Sequence, residues 1–469
     1  MSVEESGRQH YGITLAVLAT AALAYAVSQT MVAPALPAIQ RDLHTTTTGV
    51  TWVLTVYLLT ASIATPVLGR LGDMFGKERV LVVVLVMFAI GSLVAALSHS
   101  IGLLVTGRAI QGFAGAVFPL AFGIIRDEFP PERVAQGIGL ISATFGIGGG
   151  VGLVAAGLIV DHLPYEWIFW IGLIVTVVAI VCTLLFVPES PVKVPSKIDW
   201  TGAVLLSGGL GALLLGISEG PRWGWSSGRV LGLFVAAVVA LALWVRYELR
   251  VPVPLVDMRM MRRRAVWSTN VAGLLVGFGM FGSFILIPQF VQAPPGAGYG
   301  FNATVTEAGL ILLPATAVML FAGPIAGWLG GRLGSRLPLL IGTGLAAAAF
   351  ALIALAHDHQ WQLYIGTALM GAGIGFAFAA MANLIVEAVD PTETGVATGM
   401  NTIMRTVGGS LGGQISATIV SAHVLAGTHI AKESGYTTAF FLSSGVLVLA
   451  FVATLLVPVR ARVQARVGG

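Results

Sequence analysis

The sequence predicts an all-α integral membrane protein with about fourteen spanning helices and almost no water-facing domain. Composition is the first reason. Of 469 residues, 56% are hydrophobic and 10% are charged, whereas soluble domains carry about 25% charged residues. Arrangement is the second: the apolar residues fall in long runs, and short segments between them hold nearly all the charge. Each run is near the ~20 residues a helix needs to cross ~30 Å of hydrocarbon. Backbone polar groups in lipid must pair within their own segment, so runs this apolar have to be helical. The third reason is the placement of lysine and arginine, which favours alternate sides as successive runs are crossed.

In order, the runs place helices at 12–38, 49–69, 80–98, 101–125, 134–160, 166–187, 200–218, 229–246, 267–291, 306–330, 337–356, 361–388, 394–424 and 436–458. Ahead of them Met1–Gln9 is polar, and the first run is long enough to stay in the membrane, so no cleaved signal is expected. With both termini cytoplasmic, 19 of the 25 basic residues fall inside, four (Arg41, Arg222, Arg229 and Lys432) fall outside, and two (Arg108 and Arg405) fall within spans. Topology therefore accounts for the net charge of +4, and no nucleic-acid partner is needed. Cys182 has no partner, which excludes a disulfide. No polar stretch is long enough for a separate catalytic domain, and no cofactor or metal site is expected.

The chain repeats itself. GRLGDMFGKER at Gly69–Arg79 has an echo, GWLGGRLGSRL, at Gly327–Leu337, sharing Gly69/Gly327, Leu71/Leu329, Gly72/Gly330 and Gly76/Gly334. A second echo pairs Pro131/Pro391, Gly139/Gly399, Gly148/Gly408, Gly149/Gly409 and Gly152/Gly412. The spacings of 258 and 260 residues agree and indicate a duplicated half. The expected organisation is a six-helix bundle over residues 1–190, two inserted helices and a cytoplasmic linker over 191–264, and a second six-helix bundle over 265–469. Matched halves with a site between them are the plan of secondary transporters.

The embedded polar groups mark candidate site residues. An arginine at a helix centre costs ~2.5–3.5 kcal/mol even on insertion scales, so Arg108 and Arg405 are expected to face a polar or wet interior. Gln111 shares a face with Arg108, and Asn401 with Arg405. In the first span Tyr25, Ser28 and Gln29 also share a face. These seven residues form the expected cavity lining. The alternative is structural, with arginines bonding carbonyls across a helix break and the short polar groups satisfied by a neighbouring helix. The series Gly146/Gly150, Gly148/Gly152 and Gly408/Gly412 has the small-xxx-small spacing of close helix packing, and is expected to put spans five and thirteen together as a sliding seam.

At these residues the sequence resembles the major facilitator superfamily, and within it the fourteen-helix drug:proton antiporter-2 branch of bacterial multidrug efflux proteins. Gly69–Arg79 resembles that family's G-x-L-a-D-r-x-G-r-r loop between helices 2 and 3. Arg108, Gln111 and Gly112 resemble R-x-x-q-G in helix 4. Asn401, Arg405, Gly408 and Gly412 resemble N-x-x-x-R-x-x-G-x-x-x-G in helix 13. Trp52 with Tyr57, and Trp167-Ile168-Phe169-Trp170, are also similar to that branch. The resemblance implies a major-facilitator fold of two six-helix bundles plus two inserted helices, in a bacterial inner membrane. It also implies that Gly69, Arg70, Gly72, Asp73, Gly76, Lys77 and Arg79 form a conformational latch, Asp73 accepting amides of a facing helix N-terminus.

Two departures from the branch bear on mechanism. Val27–Pro37 reads VSQTMVAPALP, with Ser28 where the branch has an acid, and the proline of its helix-5 motif G-P-x-x-G-G is missing from Gly152–Gly157. No aspartate or glutamate falls at the centre of a predicted helix; the nearest are Glu307 and Glu387, the candidate proton sites. A cavity with two arginines and no acid favours neutral or anionic cargo. The expected function is export of small apolar or amphiphilic compounds by rocker-switch alternating access driven by the proton gradient, in a monomer that meets only cargo, protons and lipid. The alternatives are an importer or facilitator of a small solute and, in other classes, a membrane enzyme or a non-transporting receptor. HExxH spacing is absent from the sequence.

Overall fold

The structure, a computed structural model, describes residues 11–190, 198–425 and 430–458. Arg8, Lys193, Lys197, Arg460, Arg462 and Arg466, all assigned to the basic side, lie outside the described residues. Each predicted run forms a helix. The first half contains α1 (Tyr11–Asp42), α2 (Thr47–Phe75), α3 (Lys77–Ala96), α4 (Ile101–Gln111), α5 (Val117–Glu128), α6 (Pro131–His162) and α7 (Trp167–Phe186). A tight 3-10 turn at Gly112–Ala116 joins α4 and α5 into one pass. Then come α8 (Trp200–Trp223), α9 (Gly228–Glu248) and the one-turn α10 (Met258–Met261). The second half contains α11 (Arg264–Val291), α12 (Val305–Leu333), α13 (Arg336–Leu355), α14 (Gln360–Ala388), α15 (Thr394–Ala422) and α16 (Glu433–Thr454).

Twelve of these passes are long and apolar enough to cross a membrane. α11 and α15, with 28 and 29 residues, lie outside that group yet match the others in length. For α15 the reason is visible: Asn401, Thr402, Arg405, Thr406, Ser410 and Gln414 interrupt its apolar residues. Side chains set many of the helix starts. Thr46, Ser100, Asp199 and Ser227 accept the amides of Gly49, Leu103, Gly202 and Val230, and Thr304 with Glu307 closes a capping box on α12.

Apolar cores form from α1–α7 on one side and from α11–α16 on the other. A further core ties α8 and α9 to α14 and α15. The two halves meet along two seams. At the first, α6 lies against α12 for its whole length. A Cβ on Gly139 would stand 3.0 Å from the Gly323 carbonyl carbon, one on Gly327 2.9 Å from that of Ala135, and one on Gly157 3.0 Å from the Thr306 hydroxyl. At the second, α2 meets α15: a Cβ on Gly69 would be 2.5 Å from the Gly395 carbonyl oxygen, and the reverse distance is the same. Only glycine permits either approach. The end of the molecule that carries Gly69–Arg79 is called the latch end below.

Two sequence expectations are corrected here. Gly148 and Gly152 do not meet Gly408 and Gly412. The first pair packs on α1, where Thr30 Oγ1 donates to Gly148 O at 2.9 Å, and the second pair packs on Leu274 and Phe278 of α11. Each pair serves its own half, because small-xxx-small spacing shows that a helix is approached closely but not by which neighbour. Helices α8 and α9 also run past their predicted ends at 218 and 246. Glu219 and Glu248, expected in loops, are therefore inside helices and only 4% and 3% exposed.

Candidate functional site

Both embedded arginines are buried, Arg108 completely and Arg405 to 8% exposure. The 3-10 turn after Gln111 brings the fourth pass hard against α2, since a Cβ on Gly112 would stand 2.6 Å from Thr60 Cβ. There Arg108 Nε donates to the Val53 carbonyl at 3.1 Å, Nη1 donates to Gln111 Oε1 at 2.7 Å, and the guanidinium lies 4.0 Å over the Tyr57 ring. Gln111 Nε2 donates to Ser92 Oγ at 2.7 Å, so Gln111 orients Arg108 from behind. Arg405 is held more loosely. Nη2 donates to Thr402 Oγ1 at 3.2 Å, and the guanidinium lies 4.3 Å over the Phe378 ring. A desolvated cation over a ring gains about 2 kcal/mol, which offsets much of the cost of its depth.

The rings beneath the two cations form one row. Tyr57 stacks on Tyr25 at 6.1 Å, Tyr25 meets Phe118 at 5.9 Å, Phe118 meets Phe145 at 5.5 Å, and Phe145 meets Phe378 at 5.5 Å. Only the last of these contacts crosses from one half to the other. Above the row, away from the latch end, lies a cavity of about 180 Å³ between the halves, bordered by Gln29, Tyr57, Arg108, Phe145, Leu153 and Met280 among others. Arg108 Nη2 and Gln29 Oε1 are buried at this cavity without protein partners. No carboxylate borders it among the described residues.

The other expected cavity residues are placed differently. Tyr25 stands behind Tyr57. Ser28 faces α7, where a Cβ on Gly172 would be 2.8 Å from its Oγ. Asn401 ties α15 to α11, its Nδ2 donating to Asn270 Oδ1 at 3.0 Å and Thr269 O at 3.4 Å. Arg405 stands over Phe378 and borders none of the cavities described here. One wet passage sheltering both guanidinium groups is thus not what forms. Ring faces hold the cations, and Arg108 alone reaches the cavity.

At the latch end Asp73 is wholly buried and accepts the Gly395 and Val396 amides, both at 3.2 Å, on the first turn of α15. Exposed amides and the positive end of the helix dipole make that turn a natural seat for a carboxylate. Lys77, also buried, lies 3.5 Å from Asp73 and 2.6 Å from Asp127. Arg79 pairs with Glu189 at 2.7 Å, and Arg70 at the end of α2 is half-buried. Gly76 turns the chain from α2 to α3 at φ 112°, a conformation that favours glycine, and a Cβ there would meet the Glu189 carboxylate. Gly72 admits the Leu120 side chain. The sequence did not single out Arg126, whose guanidinium donates to Val389 O at 2.7 Å, Asp390 O at 3.1 Å and Thr394 Oγ1 at 2.6 Å, strapping α5 to the approach of α15. Position alone, at the end of a span, was its signal.

Of the candidate proton sites, Glu307 completes the cap of α12, accepting the Thr304 amide at 2.7 Å. Glu387 accepts from Ser335 Oγ at 2.9 Å and borders a latch-end cavity of about 700 Å³ with Arg126 and Arg332.

Two matched helical halves, closed together at one end around a buried carboxylate and holding a cavity further in, define a membrane transporter of the alternating-access class. Comparison with known proteins identifies the family. The Major Facilitator Superfamily profile matches residues 18–413 and 293–469, and the chain belongs to that family. It is similar to the tetracenomycin C resistance and export protein of Streptomyces glaucescens, 32% identical over 388 residues that cover 82% of this chain and 71% of that one. It is also similar to the multidrug resistance protein Stp of Mycobacterium tuberculosis, 30% identical across 78% of this chain and 67% of the relative. Of another similar protein, an MFS-type transporter of the same species at 30% identity, the chain spans only 56%. Among solved structures, the human organic anion transporter MFSD10 (TETRAN) superposes with a TM-score of 0.68 at 16% identity, covering 95% of this chain and 99% of that one. That likeness speaks for the fold.

Proposed function

We propose that the chain exports small apolar or amphiphilic compounds, of the antibiotic and drug type named for its relatives, by rocker-switch alternating access. The proposed machine is a monomer of the fourteen-helix efflux branch in a bacterial inner membrane. Residues 1–190 and 265–469 are its two bundles, residues 191–264 are the insertion, the latch end is cytoplasmic, and no covalent chemistry is involved. The observation that carries the reading is the Asp73 carboxylate on the first turn of α15, which joins the halves at one end while the Arg108 cavity lies toward the other. Such an arrangement suits an outward-directed state.

The proton gradient is the proposed driving force. Glu387, beside Arg126 and Arg332 in the latch-end cavity, is the better placed of the two candidate proton carriers, since Glu307 closes a helix cap. A second reading, favoured by the unpaired Arg108 Nη2 and the absence of a carboxylate at the cavity among the described residues, is movement of anionic solutes in either direction.

The test is expression in a drug-sensitive host, with tetracenomycin C susceptibility and dye efflux measured with and without an ionophore. Export predicts reduced susceptibility and efflux that stops when the gradient collapses. Unchanged susceptibility across drugs, with the protein present in the membrane, would falsify the reading. Anion uptake into vesicles would replace it by the second.

A further inference from the structure

The export reading leaves unexplained a second cavity of about 180 Å³, set on the other side of α2 from the Arg108 cavity. It lies where the α2–α15 seam parts, away from the latch end, and α8 covers it. Three polar stripes converge there: Thr51 and Thr55 from α2, Ser218 from α8, and Thr406, Ser410 and Gln414 from α15. The last three are spaced four apart, so one face of α15 presents them together. Leu54 and Leu58 of α2 border both cavities and form the wall between them.

Polar side chains at bilayer depth carry a cost unless something satisfies them. Part of the demand is met internally. Thr55 and Ser218 share a hydrogen bond of 3.1 Å, and Thr406 donates to Thr402 O at 3.1 Å. The Ser410 hydroxyl and the Gln414 side-chain amide have no protein partner among the described residues. Together they offer a hydroxyl, two amide N–H donors and a carbonyl acceptor. No charged side chain borders the space among the described residues. Glu219, next to Ser218 on α8, is engaged by Arg222 at 2.9 Å. The volume corresponds to about six waters, room for a short chain or a single ring.

We propose that this α2–α8–α15 cavity is a second ligand site, for small neutral amphiphiles that carry a hydroxyl or carbonyl group, which Ser410 and Gln414 recognise. Its place as an exit station beyond the Leu54–Leu58 wall rests on the export reading; its capacity to bind does not.

The experiment uses the full chain in phosphatidylcholine–phosphatidylglycerol nanodiscs and two photoprobes, a diazirine of octanol and the matching diazirine of octane, with adducts located by peptide mass spectrometry. The octanol probe is expected to label the segments containing Ser218 and Gln414, and the octane probe to label them no more than lipid-facing segments. Ser410→Trp, which fills the space, is expected to cut that labelling about tenfold while adducts beside Arg108 persist. Gln414→Leu, which removes the amide without filling the space, is expected to lower it several-fold, keeping the test independent of whether the tryptophan variant folds. Equal labelling by both probes, or labelling that Gln414→Leu leaves unchanged, overturns the proposal. Octanol labelling that persists in a protein with no efflux would retire the export reading and leave the site standing.

Discussion

The two seams between the halves occupy equivalent places in the repeat, yet they are built to different ends. Gly69 of α2 meets Gly395 of α15, and Gly327 of α12 meets Ala135 of α6, so the spacings that relate the halves also relate the contacts. At the first seam Asp73 adds a buried carboxylate and Lys77 a buried cation. Its counterpart has Gly331 at the position of Asp73, and the local polar contact across the halves is Asn383 Nδ2 donating to Ala135 O at 3.3 Å. Away from the latch end the α2–α15 seam opens into a cavity, whereas α6 and α12 stay together as far as Gly157 and Thr306. The α6–α12 contact is chiefly a backbone-to-backbone fit, with Thr306 Oγ1 donating to Asp161 at its far end, and it resists separation along its whole length. A few hydrogen bonds at one end can be broken together. On the proposed cycle, α6–α12 is the pivot and α2–α15 the door.

The largest expected effect comes from wedging the pivot. Gly323→Leu places a branched side chain against the Gly139 carbonyl, and destabilisation of about 3 kcal/mol should appear as lost monodisperse protein and a lowered Tm. A well-folded, active Gly323→Leu would break the comparison.

Next is Asp73→Asn. It leaves two helix amides with a weaker acceptor and buried Lys77 with Asp127 as its remaining close carboxylate, so efflux should fall about tenfold with folding retained, because hydrogen bonds to charged groups contribute about 1.5–3 kcal/mol. Faster maleimide labelling of a cysteine placed at Thr398, in a Cys182→Ser background, would show the door ajar. Gly331→Asp, which writes the same carboxylate into the pivot, should change efflux less than about twofold, with no comparable seat for the charge. Rescue of Asp73→Asn by Gly331→Asp would show the seams to be interchangeable.

A smaller effect, about threefold in efflux, is expected from Arg126→Ala, which removes three charge-assisted hydrogen bonds at the door at a partly exposed position. Arg332→Ala, on the pivot side, should be near neutral.

The smallest effect concerns pH. Asp390, on the turn before α15, is held below the usual carboxylate range, chiefly by the Thr392 amide and hydroxyl. A depressed pKa stabilises the folded state fully above the ordinary value of about 4 and less as pH falls below it. Asp390→Asn should therefore flatten the acid limb of Tm against pH slightly and leave neutral pH unchanged; a shift at neutral pH would contradict this.

Which parts of this were legible in the sequence follows from what each signal measures. Hydropathy reports lipid contact, so the spans could be read, even α15 with its polar interruptions. It reports less about where a helix stops: α8 continues through Pro221, which only its last turn has to accommodate, and so Glu219 was misplaced. Glycine spacing reports close packing but not the partner: Gly146/Gly150 faces Met319 and Thr316 of α12, on the seam, whereas Gly148/Gly152 and Gly408/Gly412 pack within their own halves, and glycines such as Gly139, Gly323 and Gly69 complete the contact between the halves. The cost of buried charge pointed to Arg108 and Arg405 but not to how they are neutralised. That depended on Tyr57 and Phe378, tens of residues away in sequence, which no local periodicity links to them.

The row of rings between the two arginines carries a last consequence. Any motion that parts the halves must pull Phe145 from Phe378, and in that row it pulls nothing else apart. Each turnover would then expose one apolar face on either side to solvent and later dry both again. The toll is small, fixed and independent of cargo, a detent between otherwise freely exchanging states. A slimmer side chain at residue 145 should quicken idle cycling of the empty carrier, and a protein that moves without cargo leaks whatever gradient drives it.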